Sequence, residues 1–335
     1  MGTAQMTRYR RGTGPTKKDR KPDRYLTVLA VVLLAIAAVG IVTMVRRELQ
    51  VTQEIQQTAN ATQSVVTVET TDPESTMIQE VILPGQEDII PEGMTLATRF
   101  KLPPGFERVP QQEGSFGAWL RELPMKADGM PVLLYNGTTK EAQVHTAIVD
   151  MDVGEKDLQQ CADAIMRLRA EWLWSVNRQE QVSFHLTNGF VCDYHRWRRG
   201  YRLEVDGNDV HWIKAAGLDS GYTEFRNYLD TVFMYAGTQS LEKETQAAAW
   251  SAMRPGDMLV QGGSPGHAVL VADMAVNRQT GETIFLLLQS YMPAQEMHIL
   301  KNMTDSGPWY TLSQEDNGLE TPEWSFSKGS LRRYQ

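Results

Sequence analysis

The chain has 335 residues, with 33 Lys and Arg against 41 Asp and Glu, and its formal net charge is -8. This length allows one large or two small domains. The acidic balance argues against nucleic-acid binding, which needs clustered cations to displace the counterions of the phosphates. Only Cys161 and Cys192 occur, so no disulfide framework holds the fold.

The N-terminal part of the chain has the pattern of a membrane anchor. Residues 1–24 contain eight Lys or Arg against two Asp and lack apolar periodicity, which predicts a disordered basic tail. Residues 25–45 form an uncharged run of 21 residues, and a helix needs ~20 residues to cross a bilayer. A cleaved signal peptide is the alternative, but its apolar region is shorter and is followed by a small-residue cleavage site. We therefore predict an uncleaved single-pass helix in the cell membrane, with the N-terminus cytoplasmic and the main domain extracytoplasmic.

Residues 46–95 are rich in Thr, Gln and Glu and are broken by prolines, which predicts an extracytoplasmic stalk or linker. Residues 96–335 are then the folded domain. Ser115 is a suitable N-cap for a short helix that ends at Pro124. An Asn-Gly turn at 136–137 predicts a hairpin between a strand over 131–136 and a returning strand over 143–149.

The most strongly patterned helix is predicted to follow Gly154 and Asp157. Its apolar residues recur at helical spacing: Leu158, Cys161, Ala162, Ile165, Leu168 and Trp172. With Asp157 as N-cap, Cys161 lies in the second turn. Further along, the pattern predicts a hairpin about Asn188–Gly189 with strands over 181–187 and 190–197, a polar loop, and a second helix over 222–241.

The C-terminal part is predicted to consist of strands, beginning with 258–261. A Gly- and Pro-rich tight turn over 262–266 leads into a hairpin with strands 267–276 and 283–291. A hairpin centred on Gln279 places His267 and Gln289 on one face with Cα atoms ~7–8 Å apart, whereas a slip of one residue would separate them. Early helices and late strands together predict an α+β fold with an antiparallel sheet.

Cys161, His267 and Gln289 are the residue types of a thiol-nucleophile site. A thiolate attacks a carbonyl carbon far better than a thiol does, and a helix start or a nearby imidazolium would lower the thiol pKa. The imidazole could return the proton to the leaving amine, and the Gln289 carbonyl could orient the ring. The Cys161 backbone N–H could stabilise an oxyanion, with Gln159 or Gln160 as a second donor.

The same residues have structural explanations. Free cysteine is among the most buried residue types, so Cys161 could be a packed core thiol, or it could form a disulfide with Cys192. His267 could simply begin a strand, and Gln289 could satisfy backbone groups. The remaining histidines do not have the spacing of a zinc site, and we expect no metal and no cofactor.

Two resemblances extend this interpretation. Gly256-Asp257, a short strand, a Gly-rich turn and His267 before Ala-Val-Leu-Val resemble the His half of the NlpC-type and CHAP-type papain-like cell-wall hydrolases. In those families a helix-start Cys precedes this segment and a polar residue follows on the next strand, the order of Cys161, His267 and Gln289. Residues from about 96 to 335 also resemble the bacterial domain of unknown function 4846, through phrases such as Ser115-Phe-Gly-Ala-Trp-Leu-Arg and Pro265-Gly-His-Ala-Val. The implied fold is a papain-like α+β domain with a Cys-bearing helix packed on an antiparallel sheet, preceded by one transmembrane helix.

The sequence thus favours a membrane-anchored extracytoplasmic thiol hydrolase or amidase. Its expected substrate is a peptide or amide bond of the cell envelope, such as peptidoglycan, with Cys161 as nucleophile, His267 as base and then acid, and Gln289 as orienting residue. Two alternatives remain open: a non-catalytic envelope-binding or assembly module on the same fold, and a lipid-linked acyltransferase. The sequence does not indicate an oligomeric state.

Overall fold

Residues 86–304, 307–312 and 318–335 are described by the computed structural model. The predicted basic tail (1–24), membrane helix (25–45) and most of the stalk lie outside these residues. Within the described part, no helix is both long and apolar enough to cross a membrane. The end of the predicted stalk contacts the domain, because Ile89 pairs with Phe100 in an antiparallel bridge and the Ile90 N–H donates to the Arg99 carbonyl. The folded part therefore begins before residue 96.

The described part contains six α-helices and fifteen β-strands, several of them short. The helices are α1 Leu96–Arg99, α2 Phe116–Arg121, α3 Cys161–Ser175, α4 Tyr194–Arg198, α5 Tyr222–Tyr235 and α6 Thr238–Glu244. The strands are β1 Phe106–Arg108, β2 His145–Ile148, β3 Ser183–His185, β4 Val191–Asp193, β5 Tyr201–Asp206, β6 Asp209–Lys214, β7 Gln246–Ala247, β8 Met258–Gln261, β9 His267–Asn277, β10 Thr283–Gln289, β11 His298–Leu300, β12 Tyr310–Thr311, β13 Gly318–Glu320, β14 Ser325–Ser327 and β15 Leu331–Arg333.

Nine of these strands form one sheet in which every described pair is antiparallel. Its main order is β2-β11-β10-β9-β8-β15-β7, while β1 pairs with β9 and β12 pairs with β10. The other strands form three two-stranded ribbons, β3-β4, β5-β6 and β13-β14. The domain is therefore a mixed α and β structure built on an antiparallel sheet, as the sequence predicts at this coarser level.

Strand β9 is the centre of the sheet because its apolar residues are buried on both faces. Ala268, Leu270 and Ala272 face the main core, to which α3 and α5 contribute. Val269 and Val271 face a second core built with aromatic residues from the C-terminal part of the chain. A strand with one solvent-exposed face alternates apolar and polar residues. Because β9 is covered on both faces, its residues form an unbroken apolar run instead.

The predicted hairpin over 131–149 forms only next to its turn, and the predicted returning strand over 143–149 pairs elsewhere. At the Asn-Gly turn the Gly137 N–H donates to the Leu134 carbonyl, and Leu133 forms an antiparallel bridge with Thr139. Leu134 also bridges to Gln295. The returning strand β2 pairs instead with β11, and the paired residues are 150 to 155 positions apart in the sequence. This distant pairing buries Ala147 and Ile148 against the sheet, so burial decides the partner of β2, while the turn preference is satisfied by the short hairpin next to it.

Three further elements differ from the predictions. The helix over 222–241 is two helices, because the backbone is extended at Ala236 and Gly237. Residues 194–198 are helical instead of extended, since the Asp193 carboxylate accepts a hydrogen bond from the Arg196 N–H (2.8 Å) and caps α4. The polar loop contains the half-buried ribbon β5-β6, whose Asp206-Gly207 turn between alternating apolar residues is a hairpin signal that the prediction missed.

Candidate functional site

Cys161 is the first residue of α3, nearer to the helix start than the predicted second turn. The residue before it, Gln160, is the N-cap, and the Gln160 N–H donates to Asp163 Oδ2 (3.1 Å). The first helical hydrogen bond runs from the Ala164 N–H to the Gln160 carbonyl (2.9 Å). The N–H groups of residues 161–163 therefore take no part in the helical ladder, and those of Cys161 and Ala162 are directed at the Cys161 sulfur.

His267 begins β9 directly after the tight turn over 262–266. The turn needs glycine at 266, because a Cβ there would lie 2.5 Å from Thr238 Oγ1 and 2.7 Å from the Gln261 carbonyl oxygen. The imidazole is 1% exposed. Its ring centroid lies 4.9 Å from that of Tyr291, 5.4 Å from that of Trp324 and 5.8 Å from that of Phe326. The C-terminal part of the chain thus encloses the histidine in aromatic rings.

A β-bulge brings Gln289 to the same face as His267. Leu286 faces Asp273 but Leu287 faces Val271, which leaves Ala272 as an extra residue on β9. Beyond the bulge Leu288 faces Leu270, the register that a hairpin centred on Gln279 requires. The His267 Nε2 and the Gln289 Oε1 atoms are 3.0 Å apart. Without the extra residue, the two side chains would point to opposite faces.

The hydrogen bonds around Gln289 assign the tautomer of His267. Gln289 Nε2 donates to Glu323 Oε2 (2.6 Å) and lies 3.3 Å from His298 Nε2. The other nitrogen of that ring, His298 Nδ1, donates to the Glu296 carbonyl (2.9 Å), so its Nε2 is the acceptor. Both amide hydrogens of Gln289 are thereby used, and its Oε1 can only accept. His267 therefore carries its proton on Nε2 and presents an unprotonated Nδ1.

Lys140 extends this chain of contacts, since its Nζ donates to Glu323 Oε1 (2.6 Å). The sequence prediction missed Lys140 and Glu323. Both lie outside periodic elements and far from the other site residues along the chain, so no spacing pattern marks them. His298 was noted only as one of several scattered histidines.

Burial keeps both histidines of the site neutral. Desolvation lowers the pKa of His267 to about 4, although the Gln289 hydrogen bond and the charge of Glu323 act in the opposite direction. Desolvation also lowers the pKa of His298 to about 3. The site therefore holds neutral imidazole at pH 7, and not the imidazolium that would stabilise a thiolate in the resting state.

The Cys161 thiol is also neutral, so the predicted lowering of its pKa is wrong. Desolvation is the largest cause and the charge of Asp163 the second, and together they raise the thiol pKa to about 11. Backbone N–H groups of Ala268, Ala162 and Cys161 lower the pKa but do not compensate. The side chain is 8% exposed.

The sulfur lies against the start of β9. Ala268, whose N–H is directed at the sulfur, directly follows His267. Tyr291 lies near both groups, since the charge of a Cys161 thiolate contributes to the raised pKa of Tyr291 and its ring contacts that of His267. Among the described residues, no hydrogen bond joins the Cys161 sulfur to the His267 ring.

Cys192 lies elsewhere, on β4, and both cysteines are free and buried. The disulfide alternative is therefore excluded in this structure. Burial raises the pKa of the Cys192 thiol far above its usual value. Cys192 is consequently a core residue and serves as an internal reference for Cys161.

Gln160, and not Gln159, shares an open cavity with Cys161. The Gln159 side-chain oxygen accepts from Arg167, which ties it to the protein interior. Gln160 Nε2 donates to Asp157 Oδ1 (3.2 Å), and both residues line the cavity of about 350 Å³ beside the sulfur. Within the described ranges, no group of three or more His, Cys, Asp or Glu side chains could hold a metal ion.

The comparisons with known proteins give a family and no activity. No curated protein and no solved structure matches the chain. A family model described as domain of unknown function 4846 matches residues 96–333, which is more than half of the chain. The chain therefore belongs to the family of domain of unknown function 4846.

Proposed function

We propose that the domain is a thiol hydrolase or amidase of papain-like type, with Cys161, His267 and Gln289 as its catalytic site. The single observation that carries the proposal is the hydrogen bond between His267 Nε2 and Gln289 Oε1. This hydrogen bond fixes the His267 imidazole with an unprotonated Nδ1. His267 directly precedes Ala268, whose backbone N–H contacts the Cys161 sulfur. The order of helix-start Cys, strand-start His and polar residue on the next strand supports the papain-like assignment.

The neutral resting state makes His267 a general base. With a thiol pKa of about 11, only about one Cys161 thiol in 10⁴ is ionised at pH 7. The sulfur therefore attacks the substrate carbonyl carbon while its proton moves to His267 Nδ1. Gln289 Oε1 then faces an imidazolium N–H, and the Glu323 carboxylate behind the amide stabilises the positive charge.

The following steps use the same groups. The Cys161 N–H, which lies outside the helical ladder at the start of α3, stabilises the oxyanion of the tetrahedral intermediate. When the intermediate collapses, His267 Nδ1–H gives its proton to the leaving amine, the C–N bond breaks and a thioester remains on Cys161. Water attacks the thioester with His267 again as base, which releases the acid and restores the thiol.

The substrate class follows from the expected location. A helix over 25–45 would hold the domain on the outer side of the cell membrane, where peptide and amide bonds of the envelope, including those of peptidoglycan, are within reach. Those residues lie outside the described part, so this expectation rests on the charge and length of the run alone.

A non-catalytic binding module on the same fold is the second candidate. The buried sulfur with its raised pKa favours it, because a packed thiol that never ionises has no need of a base. The complete satisfaction of the Gln289 amide supports the hydrolase instead. A buried network of hydrogen-bonded polar side chains costs free energy unless every group is paired. Here the network that ends at Gln289 holds the His267 imidazole in one orientation.

Incubation of isolated peptidoglycan and of its soluble stem peptides with the purified chain tests the proposal. Wild type, Cys161→Ala and the matched thiol control Cys192→Ala are compared by mass spectrometry of the released products. We expect new amine and carboxylate ends with wild type and with Cys192→Ala, and none with Cys161→Ala. Identical products from Cys161→Ala and wild type would refute the hydrolase.

A further inference from the structure

The cavity beside the Cys161 sulfur has an uneven distribution of charge. It has a volume of about 350 Å³ and is bounded by α3, α6 and the turn that precedes His267. Its walls include apolar side chains of Leu158, Phe233 and Met292. Two carboxyl groups, those of Asp157 and Asp163, line it, and none of its described lining residues is Lys, Arg or His.

Asp163 is the unusual member of this lining. Its side chain is 6% exposed, and its Oδ2 accepts the Gln160 N–H. Its Oδ1 is buried and has no hydrogen-bond partner among the described residues. Buried carboxyl oxygens are nearly always paired, because an unpaired one loses its hydration without compensation. The missing partner of Asp163 is therefore a feature to be explained.

Asp157 has a different role. Its Oδ1 accepts hydrogen bonds from the Ala294 N–H (2.6 Å) and from Gln160 Nε2 (3.2 Å), which fix the loop before α3. The carboxylate thus adds negative charge to the cavity while serving the fold. Asp163, in contrast, combines a place in the cavity lining with a buried carboxyl oxygen that has no partner among the described residues.

We propose that this cavity receives an aliphatic ammonium group of the substrate, with the Asp163 carboxylate as its counter-ion and the apolar walls around its carbon chain. The inference rests on the proposed function in that the ammonium belongs to a molecule whose carbonyl reaches Cys161. An ammonium group supplies both the missing hydrogen-bond donor and an opposite charge, so its entry favours loss of the proton that Asp163 otherwise keeps up to about pH 8. The N–H groups at the start of α3 would attract an anion, but they offer only partial charges against two carboxyl groups.

Two thiol probes of opposite charge test the cavity without any need for turnover. They are 2-(trimethylammonium)ethyl methanethiosulfonate and 2-sulfonatoethyl methanethiosulfonate, each of which forms a mixed disulfide with a thiolate and releases methanesulfinate. The full chain is labelled at pH 9, and mass spectrometry follows modification at Cys161. Rates are normalised to those of free cysteine with the same probes, and Cys161→Ala shows the background.

We expect the cationic probe to react with Cys161 faster than the anionic one by about tenfold or more, as a focused negative potential requires. Asp163→Asn should reduce that preference to within about threefold, since the amide keeps the size of the side chain and loses its charge. Asp193→Asn, which alters the N-cap of α4 away from the cavity, is the matched control and should retain the wild-type ratio.

A wild-type ratio near one, a preference for the anionic probe, or an unchanged ratio in Asp163→Asn would overturn the inference. These outcomes are separate from those of the proposed function. Charge selection without any envelope hydrolysis would refute the hydrolase alone, and hydrolysis that depends on Cys161 without charge selection would refute the ammonium site alone.

Discussion

Replacing Asp163 with Asn should make the stability of the domain less sensitive to pH. Burial raises the pKa of this carboxyl from 3.8 to about 8. Between these values the folded state keeps a proton that the unfolded chain releases, so wild-type stability falls as the pH rises. Ionisation of Asp163 does not destabilise the folded wild type below pH 4, and its destabilising effect is complete above pH 8. Asn cannot titrate, and its side-chain oxygen can still accept the Gln160 N–H.

The size of this loss of stability follows from the change in the pKa of Asp163 on folding. Each pKa unit corresponds to about 1.4 kcal/mol, so the wild-type loss between pH 4 and pH 9 is on the order of 5 kcal/mol for this group. The other titrating groups are common to both proteins and cancel in the difference. The free energy of unfolding of Asp163→Asn minus that of wild type should therefore rise by that amount over the same range.

Urea denaturation at one-unit steps from pH 4 to pH 9, followed by tryptophan fluorescence, measures this difference. A difference that stays constant within about 1 kcal/mol would show that Asp163 titrates normally in the folded state, and the reasoning from its burial would fail. The same series identifies the conditions in which Asp163→Asn is folded for the probe experiment.

The remaining predictions concern the thiol, the histidine and the turn. Alkylation of Cys161 by iodoacetamide should accelerate steadily from pH 6 to pH 10, because its pKa is about 11, and a plateau near pH 7 would contradict the neutral resting site. Gln289→Leu should lower the pKa of His267 further, seen by NMR of the ring, and reduce turnover by about 10²-fold, since the hydrogen bond that orients the imidazole is lost; an unchanged ring signal would contradict this. Gly266→Ala should destabilise the domain by about 1–3 kcal/mol, because the new Cβ lies under 3 Å from two oxygens, while Gly217→Ala, where the Cβ meets nothing within 4 Å, should stay within about 0.5 kcal/mol. Equal melting temperatures for the two alanine variants would refute the steric argument.

The last hairpin shows how far the sequence could predict the site. The loop over 277–281 and the two apolar runs were sufficient to predict β9 and β10, because long strands that are buried on both faces consist mainly of apolar residues. The shared face of His267 and Gln289 depended on one residue of register. The structure reaches that register through the bulge at Ala272, which no turn or apolar pattern in the sequence marks.

The groups behind Gln289 could not be predicted for a different reason. Lys140 and Glu323 meet only because distant loops are brought to the same end of the sheet. The thiol pKa was mispredicted because the partial charge of the helix start was given more weight than the burial that the apolar face also indicated. Cys161 does lie at the helix start, but desolvation outweighs the partial charge of the N–H groups there.

The central claim is that Cys161 forms a covalent thioester with its substrate. Wild-type chain mixed with soluble stem peptides, quenched in acid within the first turnovers and digested, should yield a Cys161 peptide that carries the mass of the acyl group, whereas Cys192 stays unmodified. Hydroxylamine should remove that mass, since it cleaves thioesters. Product release by the wild type with no acyl group on Cys161, and equal release by Cys161→Ala, would contradict the account.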